Sequence, residues 1–490
     1  MRLEEYAGYD AVGLARLVRN GEVTARELTE LAIAGASALD PHLNALVELY
    51  DDARERARAA DATPRGPLGG VPMVRKDIGA PEAAKLTELG SRLAEGLVTQ
   101  RDSHLTTAFK QAGLVIIGRS ATSEFGCYGT VESAVRGTTN NPWMSGRTSG
   151  GSSGGSAALV AAGVVPIGHA NDGAGSVRIP ASCCGLVGLK VSRGRVSAGP
   201  GAGEPNFGGS VQLALTRTVA DTATVLDAVA HPAPGDPFII PGPARPYAAI
   251  ASAAASGVVV PLRIGLSMQP WGPGSVDPEV TAAVLATGRA LEALGHHVQQ
   301  STFPFDFEQF ERPFIDLWAL GTAGPIVDIA ARMQRRLSDE FLEPVTLAWL
   351  EHYHRLTPGD ITHALDQVNR MARRSGSFFE HHDLLVTPTL AQPPIPFGII
   401  NGTRSDLDAA GNARALLDFN PYCPLFNLTG QPALSLPLAE SFDGLPIGVQ
   451  LVARHADEAA LLTVGAQLEQ AMPWAGRRPA RHVANLEQGR

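Results

Sequence analysis

The sequence predicts an α/β layered fold, and three features carry that reading. Short apolar runs of strand length recur at 114–117, 262–266, 384–388 and 447–452. Segments with apolar residues at helical spacing, at 218–229 and 280–294, stand between them. Strands and helices therefore alternate along most of the chain, as in a sheet layered with helices. No internal repeat and no clear linker interrupts the pattern, so one domain over 1–490 is expected.

Each element has a local reason. Residues 1–65 read as an N-terminal helical segment, in which Thr24 and Glu27 form a capping box ahead of Leu28, Leu31 and Ala32. Residues 51–60 are a charged, solvated helix face. Residues 70–75 read as a strand that ends in Lys76-Asp77. A helix over 103–111 follows, capped by Gly113, and then the strand at 114–117. The core region, 66–230, closes with a strand at 185–191 and the helix at 218–229. Residues 232–260 are rich in Pro and Ala and read as a surface excursion. Residues 306–378 are mostly helical, and 396–416 read as loop. A strand pair at 434–437 and 447–452 is closed by a helix over 457–470.

Composition excludes several function classes. A chain of 490 residues with 44% hydrophobic and 18% charged composition buries a large core. A net charge of −9 argues against nucleic acid or an anionic membrane as partner. No apolar signal core opens the chain, and we read no 18-residue apolar span. The four cysteines show no metal-ligand spacing, and Cys183-Cys184 lies in apolar sequence, so buried free thiols in a reducing cytoplasm are expected. The histidines form no HExxH, so no metal is expected, and His169 reads as a packed or hydrogen-bonded ring.

The chemistry concentrates at 145–190. Two serine-bearing glycine clusters lie there, 150–156 and 172–178, with Ser152 and Ser176 24 positions apart. Glycine opens backbone conformations closed to other residues, and successive free N–H groups in such turns make a seat for negative charge. A serine beside that seat has an oxyanion pocket next to its hydroxyl. Only 4 of the 40 basic residues are lysine: Lys76, Lys85, Lys110 and Lys190. Burial turns a lysine into a neutral base, whereas arginine stays charged. Lys76, at a strand end just before a loop, is where such a base would sit. The Gly150-x-Ser152-x-Gly154 spacing also fits a nucleophile elbow, but the polar 143–149 before it offers no strand.

These motifs resemble those of the amidase signature family of serine hydrolases. The likeness runs from about residue 8 to 480 and rests on 150–156, 171–180 and 184–190, with 70–72, Lys76-Asp77, 141–143, 216–221, 427–430, Pro432 and 444–450 outside that core. The resemblance implies the amidase signature fold, a large central mixed β-sheet covered by helices on both faces. It implies a Ser–cis-Ser–Lys triad in which Ser176 is the nucleophile, Ser152 the bridging serine and Lys76 the base, with a cis Gly151–Ser152 peptide. The N–H groups around Gly173, Ala174, Gly175 and Ser176 would hold an oxyanion, and Ser153, Asp172 and Arg178 would support the two loops.

The activity so implied is hydrolysis of C–N bonds in small or oligomeric amides, linear or cyclic, extending to anilides, carbamates and esters, through an acyl-enzyme. No cofactor is required. The partner is a small-molecule amide, and a homodimer is the candidate assembly. Cys127, Tyr128 and Trp318 are candidate substrate contacts, the last in the helical segment at 306–378. An amidotransferase A-type subunit dependent on partner chains is the alternative, but its Asp-Gly-rich middle segment is not found in 306–378. Three departures from the family pattern stand out. Ala174 replaces a common glycine, Val191-Ser192 replaces a usual Pro-Thr, and Arg75 precedes Lys76, where its charge would help lower the lysine pKa.

Overall fold

Apolar residues dominate the strands because most of the sheet is covered on both faces and meets little water. The computed structural model describes residues 1–486 apart from Pro64 and Pro273, so the end of the expected 1–490 domain, 487–490, lies outside it. Its strands are β1 (Leu46–Leu49), β2 (Pro72–Lys76), β3 (Val115–Ser120), β4 (Glu132–Ser133), β5 (Gly137–Thr138), β6 (Ile167–Asp172), β7 (Val187–Lys190), β8 (Val211–Thr216), β9 (Arg263–Leu266), β10 (His297–Gln300), β11 (Leu384–Pro388), β12 (Ala433–Glu440) and β13 (Pro446–Ala453). Among the described residues β4 and β5 form a small hairpin, and the other eleven make one sheet in the order β1-β3-β2-β6-β8-β7-β12-β13-β11-β9-β10. The sheet is mixed. β3, β2 and β6 run parallel, as do β10, β9 and β11, while β6, β8, β7, β12 and β13 pair antiparallel.

This topology places the chemistry. Parallel pairing of β3, β2 and β6 brings Ser120, Lys76 and Asp172, their last residues, to the same edge of the sheet. Ligands in such sheets bind outside the carboxyl ends of the strands. Ser152 precedes the helix Gly154–Ala161, and Ser176 precedes the helix Arg178–Cys184, so both serines sit in turns at that edge.

The predicted caps are present. Thr24 Oγ1 accepts from the Glu27 N–H at 3.1 Å, and Glu27 Oε2 accepts from the Thr24 N–H at 2.8 Å. Three stretches differ from expectation. Residues 396–416 are not all loop, because Asp408 caps a helix over Ala409–Phe419. The excursion at 232–260 contains the helix Tyr247–Ala255, which buries Tyr247, Ala251 and Ala254. The helix Phe307–Met333 is long and apolar enough to cross a membrane by length and composition, contrary to our reading of the sequence. It buries 56% of its most apolar window, where Phe310, Phe314 and Trp318 join an aromatic cluster with Trp349 and Phe378.

Candidate active site

Burial governs the site. Lys76, Ser153, Asp172 and Arg178 are fully enclosed, Ser152 is 1% exposed and Ser176 7%. Lys76 Nζ touches three oxygens: Asn171 Oδ1 at 2.6 Å, Ser152 Oγ at 2.7 Å and Ser153 Oγ at 2.9 Å. Burial pushes the amine pKa well below the usual lysine value, against the opposing pull of the Asp172 carboxylate. The Arg75 charge is not what does it. Arg75 points to the other face of β2, where its guanidinium donates to Tyr50 Oη at 2.7 Å and to the Leu86 carbonyl.

Donor counting then orients the proton. A neutral amine has two N–H groups and one lone pair. Asn171 Oδ1 can only accept, so it takes one N–H. The Ser153 hydroxyl donates to the Asn171 carbonyl at 3.4 Å, so it takes the other. The lone pair is left for the Ser152 hydroxyl. When the amine is protonated, its three N–H groups meet the same three oxygens, so both charge states are satisfied with only the Ser152 hydroxyl proton turning away.

The second glycine turn is held by a closed ionic network. Asp172 Oδ1 accepts from the Gly175 N–H at 2.7 Å, and Oδ2 accepts from the Val177 N–H at 3.2 Å. Arg178 uses all five of its N–H donors, on both Asp172 oxygens, the Cys423 carbonyl, Gln450 Oε1 and Asn427 Oδ1. Burial alone would raise the Asp172 pKa, but Arg178 outweighs it and brings the group to about 2. The Gly175 N–H is already committed to Asp172, whereas among the described residues those of Gly173, Ala174 and Ser176 have no acceptor.

Ser152, Asn171, Gly173, Ser176 and Trp318 line one cavity of about 340 Å³. Among the described residues the Ser176 hydroxyl makes no hydrogen bond, so it stands free in that cavity. Cys127 and Tyr128 do not reach it. They turn into the packing beneath, where Tyr128 Oη donates to Glu343 Oε2 at 2.7 Å, and the preceding Phe125 and Gly126 line the wall instead. Sequence reasoning missed Asn171 as a partner of Lys76 and Gln212 as part of the wall. Asn171 sits in the quoted 171–180 motif, but only strand register shows where its side chain goes. The four thiols are buried and unpaired. The Gly151–Ser152 peptide is cis.

A lysine, two serines and a glycine-turn pocket at the carboxyl edge of a mixed sheet define a class. The amidase family matches residues 27–462, and the chain belongs to the amidase signature family of amidohydrolases. Two of its relatives are informative. It is 36% identical over 486 residues to the 6-aminohexanoate-cyclic-dimer hydrolase of Pseudomonas sp. (strain NK87), covering 96% of each chain. It is 33% identical to an acylamidase of Rhodococcus erythropolis, covering 96% and 97%. Among solved structures, 6-aminohexanoate cyclic dimer hydrolase complexed with substrate superposes with a TM-score of 0.89 at 34% identity, over 97% and 99% of the two chains. A bacterial aryl acylamidase of the amidase signature family superposes at 0.83 and 25% identity, over 98% and 99%.

Proposed function

We propose that this amidase hydrolyses uncharged amides, cyclic ones such as the 6-aminohexanoate cyclic dimer included, with Ser176 as nucleophile, Ser152 as bridge and Lys76 as base. The observation that carries the reading is the Lys76 contact set, which leaves the amine lone pair to the Ser152 hydroxyl. A serine hydroxyl is a weak nucleophile until a base takes its proton. Ser152 passes its proton to Lys76 and accepts the one from Ser176, whose oxygen attacks the amide carbonyl. The Ser176–Ser152 link closes when substrate fills the cavity, since catalytic hydrogen bonds tighten in the complex. The free N–H groups of Gly173, Ala174 and Ser176 receive the oxyanion, each worth about 3 kcal/mol. The C–N bond breaks as Lys76 returns a proton through Ser152 to the leaving nitrogen. Water then attacks the acyl-enzyme by the same relay in reverse and releases the acid and Ser176.

The cavity supports the substrate class. None of its lining side chains is ionisable. Stripping water from a substrate carboxylate or ammonium there costs several kcal/mol with no counter-charge to offset it. A ring of amides, which has no charged ends, avoids that cost. The buried thiols suit a reducing cytoplasm.

The test is amine release by purified wild type, Ser176→Ala and Lys76→Ala, with chelator and without glutamine. Cyclic and linear 6-aminohexanoate dimers, an anilide and a carbamate make the panel. We expect wild type to cut the cyclic dimer in preference to the zwitterionic linear one, and both variants to lose nearly all activity. A wild type silent on every member, or variants that keep their rate, sinks the reading in favour of a partner-dependent amidotransferase.

A further inference from the structure

The proposed relay leaves several polar groups of the cavity unused, and Gln212 is the one whose amide is oriented by a buried neighbour. Gln212 stands opposite Asn171 in the antiparallel pairing of β8 with β6, so the two side chains share a face and both line the cavity. Its amide is oriented from behind. His169 is wholly buried, and its Nδ1 accepts the Lys76 backbone N–H at 3.3 Å. The ring proton therefore sits on Nε2, which donates to Gln212 Oε1 at 3.1 Å. Burial takes His169 down to about 3, so the ring stays neutral and holds this tautomer across the working pH range. With Oε1 engaged, the two N–H donors of Gln212 Nε2 have no partner among the described residues. Room for the amide comes from Gly79, at φ +108°. A side chain there would start 2.7 Å from Gln212 Oε1 and 3.1 Å from the His169 ring.

We infer that Gln212 is a specificity-determining residue, donating from Nε2 to a second uncharged carbonyl of the substrate, and that His169 positions it. The class selected is amides with a second acceptor, such as a diamide, over monoamides of the same size. Because His169 is keyed to the Lys76 backbone, the acceptor seat and the base are set by one hydrogen-bonded chain. The inference rests on the reading of the cavity as the substrate site.

The test compares the 6-aminohexanoate cyclic dimer with N-hexylhexanamide, which has one amide only, on wild type, Gln212→Leu and Gln212→Glu. Gln212→Glu keeps an acceptor for His169 and removes the donors, which guards against a folding defect in Gln212→Leu. We expect both variants to lose about tenfold in kcat/KM for the diamide, mainly through KM, and little for the monoamide. In Gln212→Leu, which adds no charge, the acid limb of the pH profile should stay in place, whereas the carboxylate of Gln212→Glu is expected to move it, if at all, to higher pH. Calorimetric binding of both compounds to Ser176→Ala, with and without Gln212→Leu, reads the same selectivity without turnover. Equal losses on both compounds, no loss on either, or no binding of the diamide by Ser176→Ala overturns the inference. Failure of the nucleophile assignment shows separately, as turnover retained by Ser176→Ala.

Discussion

Asn171 Oδ1 lies 2.6 Å from Lys76 Nζ, closer than either serine hydroxyl. An uncharged acceptor at that distance directs one N–H of the amine and favours its protonation far less than a charge would. A carboxylate in the same place would direct the N–H and strongly favour the ammonium.

Asn171→Asp therefore tests the neutral-base reading. An adjacent negative charge favours the ammonium and raises the Lys76 pKa. The base works deprotonated, so activity falls as pH drops through that pKa, and a raised pKa moves the acid limb to higher pH. At a pH on that limb, raising the pKa by one costs about tenfold in kcat/KM. A pH profile of kcat/KM checks this, and an unmoved limb contradicts it.

Ser152 and Ser153 touch the same amine, and the proposed relay gives them different work. Ser152→Ala cuts the relay, and a loss on the order of 10³-fold or more in kcat is expected. Ser153→Ala removes only an acceptor that steers one N–H, and a loss of about tenfold is expected. Single-turnover amine release on the two variants separates them, and equal losses would contradict the division of roles.

Arg178 is expected to be structural. Arg178→Met leaves the Asp172 carboxylate buried without its partner, which costs about 3–5 kcal/mol. Arg178→Lys should rescue poorly, since three donors cannot serve five acceptor contacts in a fixed fork. Apparent Tm values of the three proteins decide it, and a Tm unchanged in Arg178→Met refutes the role.

Gly155 lies in the first turn of the helix Gly154–Ala161. Helix propensity alone predicts that Gly155→Ala gains about 1 kcal/mol. The added Cβ would stand 2.5 Å from the Ala121 nitrogen and 2.6 Å from the Ala45 carbonyl oxygen. Backbone cannot yield as a side-chain end can, so overpacking of about 1–3 kcal/mol should win and the apparent Tm should fall. A higher Tm would show that the turn has room.

The parts legible in the sequence were those with local causes. Glycine turns around Ser152 and Ser176, the capping box at Thr24 and Glu27, and a rare lysine at a strand end are all set by neighbours in the chain. The short apolar runs announced the strands for the same reason. What pairing decides was not legible. Strand register alone sets Asn171 beside Gln212 and both in the cavity. The direction of the Gly175 N–H depends on where the Asp172 carboxylate comes to rest. Cys127 and Tyr128 follow the cavity-lining Gly126 directly, yet their side chains turn inward because Glu343, from a distant helix start, receives the tyrosine hydroxyl. Local sequence determines which groups can do the chemistry. Long-range packing decides which of them meet, because it alone sets the distances and the burial on which a proton transfer depends.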